Sequence, residues 1–147
     1  MSSEHSSPVR VVIDTNIWVS YLIGKCLGDL TSPLEKDQIR LLHSEESFYE
    51  LIQVVQRPKL RQYFVEQDIR ELIELVNFRT HWIDVAEEAN ACRDPKDNFL
   101  LDLSWFGKAD YLVTGDHDLL VLEQWGHTRI VDYREFDKYV ADLPQDG

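Results

Sequence analysis

The hydrophobic pattern of the chain begins with a near-continuous run of β-branched residues at Val9–Ile13. Such a run is typical of a strand that is buried on both faces, as in a parallel sheet. It ends abruptly in the polar triplet Asp14-Thr15-Asn16, and a second apolar stretch covers residues 17–23. Because Thr15 or Asn16 would make a good helix N-cap, the pattern predicts a strand, a tight turn and a helix.

The rest of the chain alternates predicted strands with predicted helices. The further strands are Gln38–Leu42, His81–Val85, Tyr111–Thr114 and Thr128–Val131. The further helices extend from the N-cap Ser44 to Arg57, over Glu66–Phe78, from the N-cap Asp94 to Gly107, and over His117–Leu122 and Tyr133–Val140. Residues 24–37, with the breakers Gly28 and Ser32-Pro33, are expected to form a loop with room for one short helical turn. Strands that alternate with helices indicate an α/β fold with a parallel, doubly wound sheet.

The helix that follows Asp94 has a strong start signal. Asp94 is placed at the N-cap, Pro95 at the first helical position and Asp97 at the third. Apolar residues occur nearly all round this helix, so we expect it to be deeply buried and to end at Gly107. The tryptophans and phenylalanines of the chain sit at core-like positions, and burial in the core is the expectation for them.

The bulk composition fits one globular domain. The chain has 147 residues, of which 44% are hydrophobic, enough for a sizeable core. We expect a disordered tail at residues 1–8, one domain at residues 9–141 and a second tail at residues 142–147. Cys26 and Cys92 have no metal-binding spacing and favour a reduced, cytoplasmic setting. No apolar run approaches the ~20 residues of a membrane span, and the N-terminus lacks the apolar segment of a signal peptide.

The net charge of −12 opposes non-specific binding to nucleic acid, which usually needs a basic surface. Three arrangements would reconcile this charge with nucleic-acid binding or with another function. Part of the charge could be a cluster of carboxylates that bound cations neutralise. The rest could be solvated helix faces that leave a local basic patch free, or the protein could bind a basic partner protein.

Three acids are brought to one rim of the predicted sheet by topology. Asp14 ends the first buried strand and Asp116 follows a later one, so both lie at the carboxyl rim if these strands are neighbours. Asp97 begins the helix that leads to the amino end of that later strand, which places Asp97 at the same rim. Asp118 is a secondary candidate. Each of these acids also suits a structural role as a helix cap, and from the residues alone this alternative stays open.

Carboxylates that lie close together repel and raise each other's pKa unless a cation sits among them. Oxygen ligands without histidine or cysteine suit a hard ion, Mg²⁺ or Mn²⁺, and none of the five histidines has ligand spacing. Such an ion can activate a water molecule and stabilise the charge that develops in phosphoryl transfer. The acidic rim is therefore compatible with phosphodiester chemistry.

Four short motifs occur in order along the chain. They are Ile13-Asp-Thr-Asn16, then Glu50-Leu51 with Arg57-Pro-Lys-Leu60, then Arg93-Asp-Pro-Lys-Asp97, then Ala109-Asp-Tyr-Leu-Val-Thr-Gly-Asp-His-Asp-Leu-Leu120. Together they resemble the PIN domain, and more narrowly its bacterial and archaeal branch of toxin–antitoxin toxins, similar to the VapC toxins. The resemblance runs from about Val9 to Tyr139. It implies a three-layer α/β/α sandwich with a central parallel sheet of about five strands in the order 3-2-1-4-5.

The resemblance also implies the site. The four catalytic, metal-binding acids would be Asp14, Glu50, Asp97 and Asp116, with Mg²⁺ or Mn²⁺ as the cofactor and Asp118 as a further candidate ligand. Thr15, Asn16 and Thr114 match the small polar neighbours of the family's site. Only the resemblance selects Glu50, because helical periodicity places it off the apolar stripe of its helix and predicts a solvent-facing side chain.

Two groups of cations are candidates for binding RNA. Arg57, Lys59 and Arg61 follow the helix of Glu50, whereas Arg93 and Lys96 flank Asp97; these are the RNA-binding candidates. Solvated surface charge is an equally open interpretation of both groups.

The function that the resemblance implies is metal-dependent cleavage of RNA by the toxin of a toxin–antitoxin pair. Its partners would be RNA, an antitoxin protein and a second copy in a homodimer. The alternative is a catalytically inactive PIN-like module that binds RNA or protein, although the presence of all four acids favours catalysis. A phosphoacceptor receiver domain needs a paired acid and a later lysine that we do not find. A haloacid-dehalogenase-type phosphatase needs an aspartate where this chain has Asn16.

Overall fold

A central sheet of six strands organises the computed structural model, which describes residues 8–23, 27–62 and 66–144, without the side chains of residues 22 and 27–30. The strands are β1 Val9–Ile13, β2 Ile39–His43, β3 Thr80–Trp82, β4 Tyr111–Val113, β5 Gln124–Trp125 and β6 Thr128–Val131. Their order is β3-β2-β1-β4-β6-β5. The five parallel strands thus have the predicted order, and the two-residue β5 adds an unpredicted antiparallel edge against β6.

Helices cover both faces of the sheet. They are α1 Thr15–Ile23, α2 Leu27–Glu35, α3 Glu45–Val55, α4 Pro58–Arg61, α5 Glu66–Arg79, α6 Pro95–Gly107, α7 His117–Leu120 and α8 Tyr133–Ala141. Val11 and Ile13 of β1 face the larger core, which α1, α3, α5 and α8 complete. Val12 faces the opposite core, which α6 and α7 complete. β1 thus contributes apolar side chains to both cores, which explains the continuous apolar run in its sequence. Since helices cover both faces of the sheet, the predicted three-layer α/β/α fold is confirmed.

The prediction of a loop at residues 24–37 is wrong, because residues 27–35 form the helix α2. Pro33 lies inside this helix and lacks the N–H of one helical hydrogen bond. Leu34, beside it, has no exposed surface, so tertiary packing outweighs the local breaker. The carbonyl of Pro33 accepts from the N–H of Gln38 at 2.9 Å and leads the chain into β2. Gly24 and Cys26, within the predicted loop, lie outside the described residues, as does most of the two predicted tails.

The default assignment of aromatic residues to the core is wrong for several of them. Trp18 has no exposed surface, but Phe78, Trp82 and Trp105 are exposed to 77%, 47% and 57%. The helix α6 is accordingly not buried all round: Trp105 faces solvent, while three of its buried side chains are polar. Those three are Asp97, Asp102 and Ser104.

The end of α6 is located as predicted, but for a different reason. The left-handed residue that ends the helix is Lys108, with φ of 53°, and not a glycine. Gly107 is needed for packing, because a Cβ there would lie 2.9 Å from Cδ1 of Leu42. Glycine therefore allows α6 to approach β2 closely. In the described part of the chain, none of the helices combines the length and the apolar character that a membrane crossing needs.

Candidate metal centre

The carboxyl rim of the sheet collects the acids because β1 and β4 are parallel neighbours. Asp14 follows the last residue of β1, and its N–H donates to the carbonyl of Val113 at 2.9 Å. Asp116 follows β4 after a short turn and is the N-cap of α7. Asp97 stands in the first turn of α6, which extends from this rim towards the amino end of β4. The three acids therefore lie at one rim of the sheet, as the topology predicted, but only Asp97 and Asp116 belong to the close group of carboxylate oxygens, whose third member is Asp118 and not Asp14.

Thr114 joins two of these acids. Its hydroxyl donates to Oδ2 of Asp14 at 2.9 Å and accepts from the N–H of Asp116 at 3.1 Å. The backbone N–H of Asn16 donates to the other oxygen, Oδ1 of Asp14, at 3.1 Å. The carboxylate of Asp14 thus accepts one hydrogen bond on each oxygen, which holds it in one orientation at the N-terminus of α1. The prediction that Thr15 or Asn16 is the N-cap of α1 is wrong, because Thr15 is already the half-buried first residue of the helix. Asp14 precedes it and accepts from the N–H of Asn16, as an N-cap does.

Asp97 is a buried carboxylate without a full set of partners. Only 4% of its surface is exposed, and Oδ2 is buried with no hydrogen-bond partner. Oxygens of Asp97, Asp116 and Asp118 all lie within 4.8 Å of one another. Burial, a hydrogen bond with Asp116 and the charges of Asp116, Asp94 and Asp14 together raise the pKa of Asp97 from 3.8 to about 7.

Capping explains part of this acidic group but not all of it. Asp94 accepts from the N–H of Lys96 at 2.9 Å and is a helix cap, as the sequence predicts. Asp116 also caps, since its Oδ1 accepts from the N–H of Asp118 at 2.8 Å. Asp97 cannot be explained in this way, because a buried carboxylate oxygen without a donor is costly unless something positive reaches it. The donor set is entirely oxygen, so it fits a hard divalent cation.

Glu50, like Asp14, is not a member of the close group that Asp97, Asp116 and Asp118 form. Its side chain is exposed on α3, as periodicity predicts. Helix α3 starts from the carboxyl rim, where its N-cap Ser44 follows β2. Glu50 is therefore near the rim by helix position, about 8 Å along the axis from that start, and its role as a ligand stays a prediction.

The candidate RNA-binding cations separate into two groups. Arg93 and Lys96 flank the acids, and Arg93 pairs with Oδ2 of Asp118 at 3.3 Å. Arg57, Lys59 and Arg61 come after α3, which extends about 15 Å away from the carboxyl rim. All three are exposed. Arg61 is held by Glu66 at 2.7 Å.

Sequence reasoning missed the residues that shape the loop before α6. The side-chain amide of Asn98 makes two hydrogen bonds of 2.9 Å to the backbone of Cys92. Its Oδ1 accepts from the N–H of Cys92, and its Nδ2 donates to the carbonyl of Cys92. Asp102 accepts from the N–H groups of Glu88 and Ala89 at 3.1 and 2.8 Å. The sequence did carry a signal for these contacts, since Asn98 and Asp102 are polar residues in a largely apolar helix, and buried polar side chains usually have hydrogen-bond partners.

Comparison with known proteins agrees with this geometry. The fold and rim define an α/β protein with acids at the carboxyl ends of parallel strands. A family model of the PIN domain matches residues 10–118, which is more than half of the chain. The chain therefore belongs to the PIN domain family, which is of the nuclease type.

Two relatives extend the comparison. The chain is 29% identical over 117 residues to the uncharacterized protein MJ1680 of Methanocaldococcus jannaschii, covering 78% of this chain and 75% of the relative. The crystal structure of PAE2754 from Pyrobaculum aerophilum superposes with a TM-score of 0.59 at 14% identity. That match covers 92% of this chain and 97% of the other and supports the fold alone.

Proposed function

We propose that the protein is a metal-dependent endoribonuclease that hydrolyses RNA phosphodiester bonds. The observation that carries this proposal is the buried, partnerless Oδ2 of Asp97 within a group of carboxylates. Membership of the PIN domain family supports the same reaction class. The resemblance of the four motifs to the VapC toxins supports the narrower role of a cytoplasmic toxin held in check by an antitoxin.

Asp14, Asp97 and Asp116 would hold the ion, with Asp118 and Glu50 as further candidate ligands. Mg²⁺ or Mn²⁺ bound there would supply a Lewis acid for water activation and for the charge that develops on the phosphate. The chain's own contribution is orientation. Thr114 fixes Asp14 relative to the backbone of Asp116, and such supporting groups typically matter 10–100-fold.

The protonation of Asp97 is part of this arrangement. Burial, and then the hydrogen bond and the charge of Asp116, raise the pKa of Asp97 to about 7, so that without a cation this side chain is partly protonated at neutral pH. Binding of a cation requires that proton to leave, because the ligand form of a carboxylate is ionised. The site is therefore poised to exchange a proton for a divalent ion near neutral pH.

The test is cleavage of a labelled single-stranded RNA by the purified protein with Mn²⁺ or Mg²⁺, and with EDTA. Asp97→Asn should lower the rate by about a hundredfold or more, as expected when a group that stabilises charge in the transition state is lost. The matched control is Asp94→Asn, since Asp94 is a neighbouring cap and asparagine caps equally well. Equal cleavage by the parent and Asp97→Asn would refute the assignment.

The toxin role has a separate test. Expression of the parent should arrest growth of a bacterial host, whereas Asp97→Asn should not, because arrest requires cleavage. Arrest by both proteins would show that toxicity does not come from this site. Sedimentation of the pure protein would measure the homodimer that the resemblance implies.

A further inference from the structure

A cavity of about 300 Å³ lies at the amino rim of the sheet, opposite the acids. It is formed where α6 ends and where the β5–β6 hairpin turns. The lining residues are Trp105, Lys108, Trp125, Gly126, His127 and Thr128. None of them belongs to the acidic rim or to the motifs that carry the resemblance.

Trp105 offers a fixed aromatic surface in this cavity. Its indole packs so tightly on Gly126 that a Cβ at Gly126 would lie 2.8 Å from Cζ3 of the ring. Gly126 also has φ of 62°, where a side chain is strained. The indole nevertheless remains 57% exposed. A held, exposed indole is suited to stack on a planar ring, and Trp125 lines the same cavity.

The charges around the cavity favour an anion. Lys108 supplies an ammonium group, and no carboxylate is among the described residues that line the cavity. Lys108 also has φ of 53°, although glycine or asparagine is usual at that helix position. The larger cavity of about 550 Å³, at the carboxyl ends of β2 and β3, differs because Glu45, Glu46 and Asp84 line it. A phosphate would be repelled there.

The distance to the acidic rim matches a short strand of nucleic acid. Asp97 and Trp105 are on the same helix, eight residues apart, which is about 12 Å along its axis. That span corresponds to about four stacked nucleotides at about 3.4 Å each. A single strand cut at the acids could therefore reach the cavity along one rigid element.

We propose that this cavity is a second binding site for single-stranded RNA. Trp105, with Trp125, stacks on a base about four nucleotides from the cut, and Lys108 pairs with a neighbouring phosphate. The proposal rests on the proposed function, because RNA is the substrate there. It explains how a protein with a net charge of −12 holds RNA without a broadly basic surface.

The first experiment measures binding without cleavage. A dye-labelled uridine decamer is titrated in EDTA and followed by fluorescence anisotropy. Trp105→Ala should raise Kd about fivefold to a hundredfold, as for loss of one base stack. Lys108→Gln should reduce the slope of log K against log salt by about 0.7. Trp82→Ala is the matched control, because Trp82 is a similarly exposed tryptophan, at 47%, that lines the larger cavity beside Glu45, Glu46 and Asp84. This variant should bind the decamer with the Kd of the parent.

The second experiment separates stacking from charge and from folding. An abasic decamer should bind parent and Trp105→Ala equally, because it has no base to stack. Trp105→Phe should keep most of the affinity, and thermal melting should show that both variants fold. If Trp105→Ala weakens abasic and normal RNA alike, or if Trp82→Ala has the same effect, the site is not a base-stacking site. Conversion of a dimer into a monomer by Trp105→Ala would instead make this surface an interface between copies.

Cleavage distinguishes this proposal from the nuclease proposal. With Mn²⁺, Trp105→Ala should raise KM for a decamer at unchanged kcat, and it should leave a trinucleotide unaffected. If the parent binds RNA through Trp105 but never cuts it, the nuclease proposal fails and the cavity stands. If the parent cuts the decamer and Trp105→Ala cuts it with the same KM, the cavity proposal alone is overturned.

Discussion

Asp97→Asn should stabilise the metal-free protein at alkaline pH. The folded state raises the pKa of Asp97 from 3.8 to about 7 because the side chain is buried and close to other acids. In the unfolded chain the same group ionises near pH 4. Ionised Asp97 therefore costs folding free energy, and asparagine, which carries no charge, removes that cost while keeping the shape of the side chain.

The magnitude follows from linkage. A shift of about three pH units at about 1.4 kcal/mol each gives an upper bound of about 4 kcal/mol. Because the folded pKa is raised, the stability linked to protonated Asp97 is fully present below pH 3.8 and is lost as the pH rises through about 7. The difference between variant and parent should thus be near zero at pH 4 and largest at pH 8.

The assay is thermal unfolding followed by circular dichroism, in EDTA, from pH 4 to pH 8. At about 2–4 °C per kcal/mol for a chain of this size, the variant should melt up to about 8–16 °C higher at pH 8. Asp132→Asn is the control. Asp132 caps α8 by accepting from the N–H of Glu135 and is not among the acids that raise the pKa of Asp97, so its difference from the parent should not grow with pH. A lower melting temperature for Asp97→Asn at every pH would refute the electrostatic reasoning.

Divalent ions should narrow the difference in stability between the two proteins at pH 8. A cation that binds only the folded parent adds about 2.7 kcal/mol at a hundredfold excess over Kd, whereas Asp97→Asn lacks one ligand and should gain less. Below pH 7 the cation must displace the proton of Asp97, so the apparent Kd of the parent should rise about tenfold per pH unit. An equal gain from Mn²⁺ in both proteins would falsify the metal site.

Three further predictions concern the neighbours of Asp97. In EDTA, Asp14→Asn should melt no lower than the parent, because it removes charge from a repulsive group, and it should gain less from Mn²⁺ in the same titration. Thr114→Val should lower the cleavage rate about 10–100-fold, because it removes the hydroxyl between Asp14 and the backbone of Asp116; steady-state kinetics measure this. Neutralising Arg57, Lys59 and Arg61 together should flatten the salt dependence of RNA binding by about 0.7 in log–log slope per lost phosphate contact, and an unchanged slope would leave them as surface charges.

The parallel core of the fold was predictable because each signal was local and consistent. The run at Val9–Ile13 must be buried on both faces, and the polar triplet after it leaves little choice but a turn into a helix. The start of α6 is similarly over-determined by Asp94 and Pro95. Such signals depend only on the hydrophobic periodicity of a short segment and on the hydrogen bonds of its own backbone, so they can be recognised in the sequence.

The failures arose where a distant contact decides. Pro33 signals a break, but the burial of Leu34 against the rest of the core holds α2 together. Trp105 is a large apolar residue of the kind that is usually buried, yet it packs on Gly126 and stays exposed at the surface. Neither outcome can be read from neighbours in sequence, because each depends on an element that is reached only through the tertiary fold.

The candidate site shows the same division between topology and detail. The direction of α6 and the pairing of β1 with β4 sufficed to bring Asp97 beside Asp14 and Asp116. What topology could not supply was the asymmetry among these acids. Asp14 is oriented by Thr114 and by the backbone of Asn16, whereas Asp97 is buried with one oxygen unsatisfied and its pKa near 7. That asymmetry explains why Asp97 carries the proposal of a metal site. The chain supplies a hydrogen-bond donor to each oxygen of Asp14, whereas the described residues supply none to Oδ2 of Asp97, and a buried carboxylate oxygen in that state calls for a positive group.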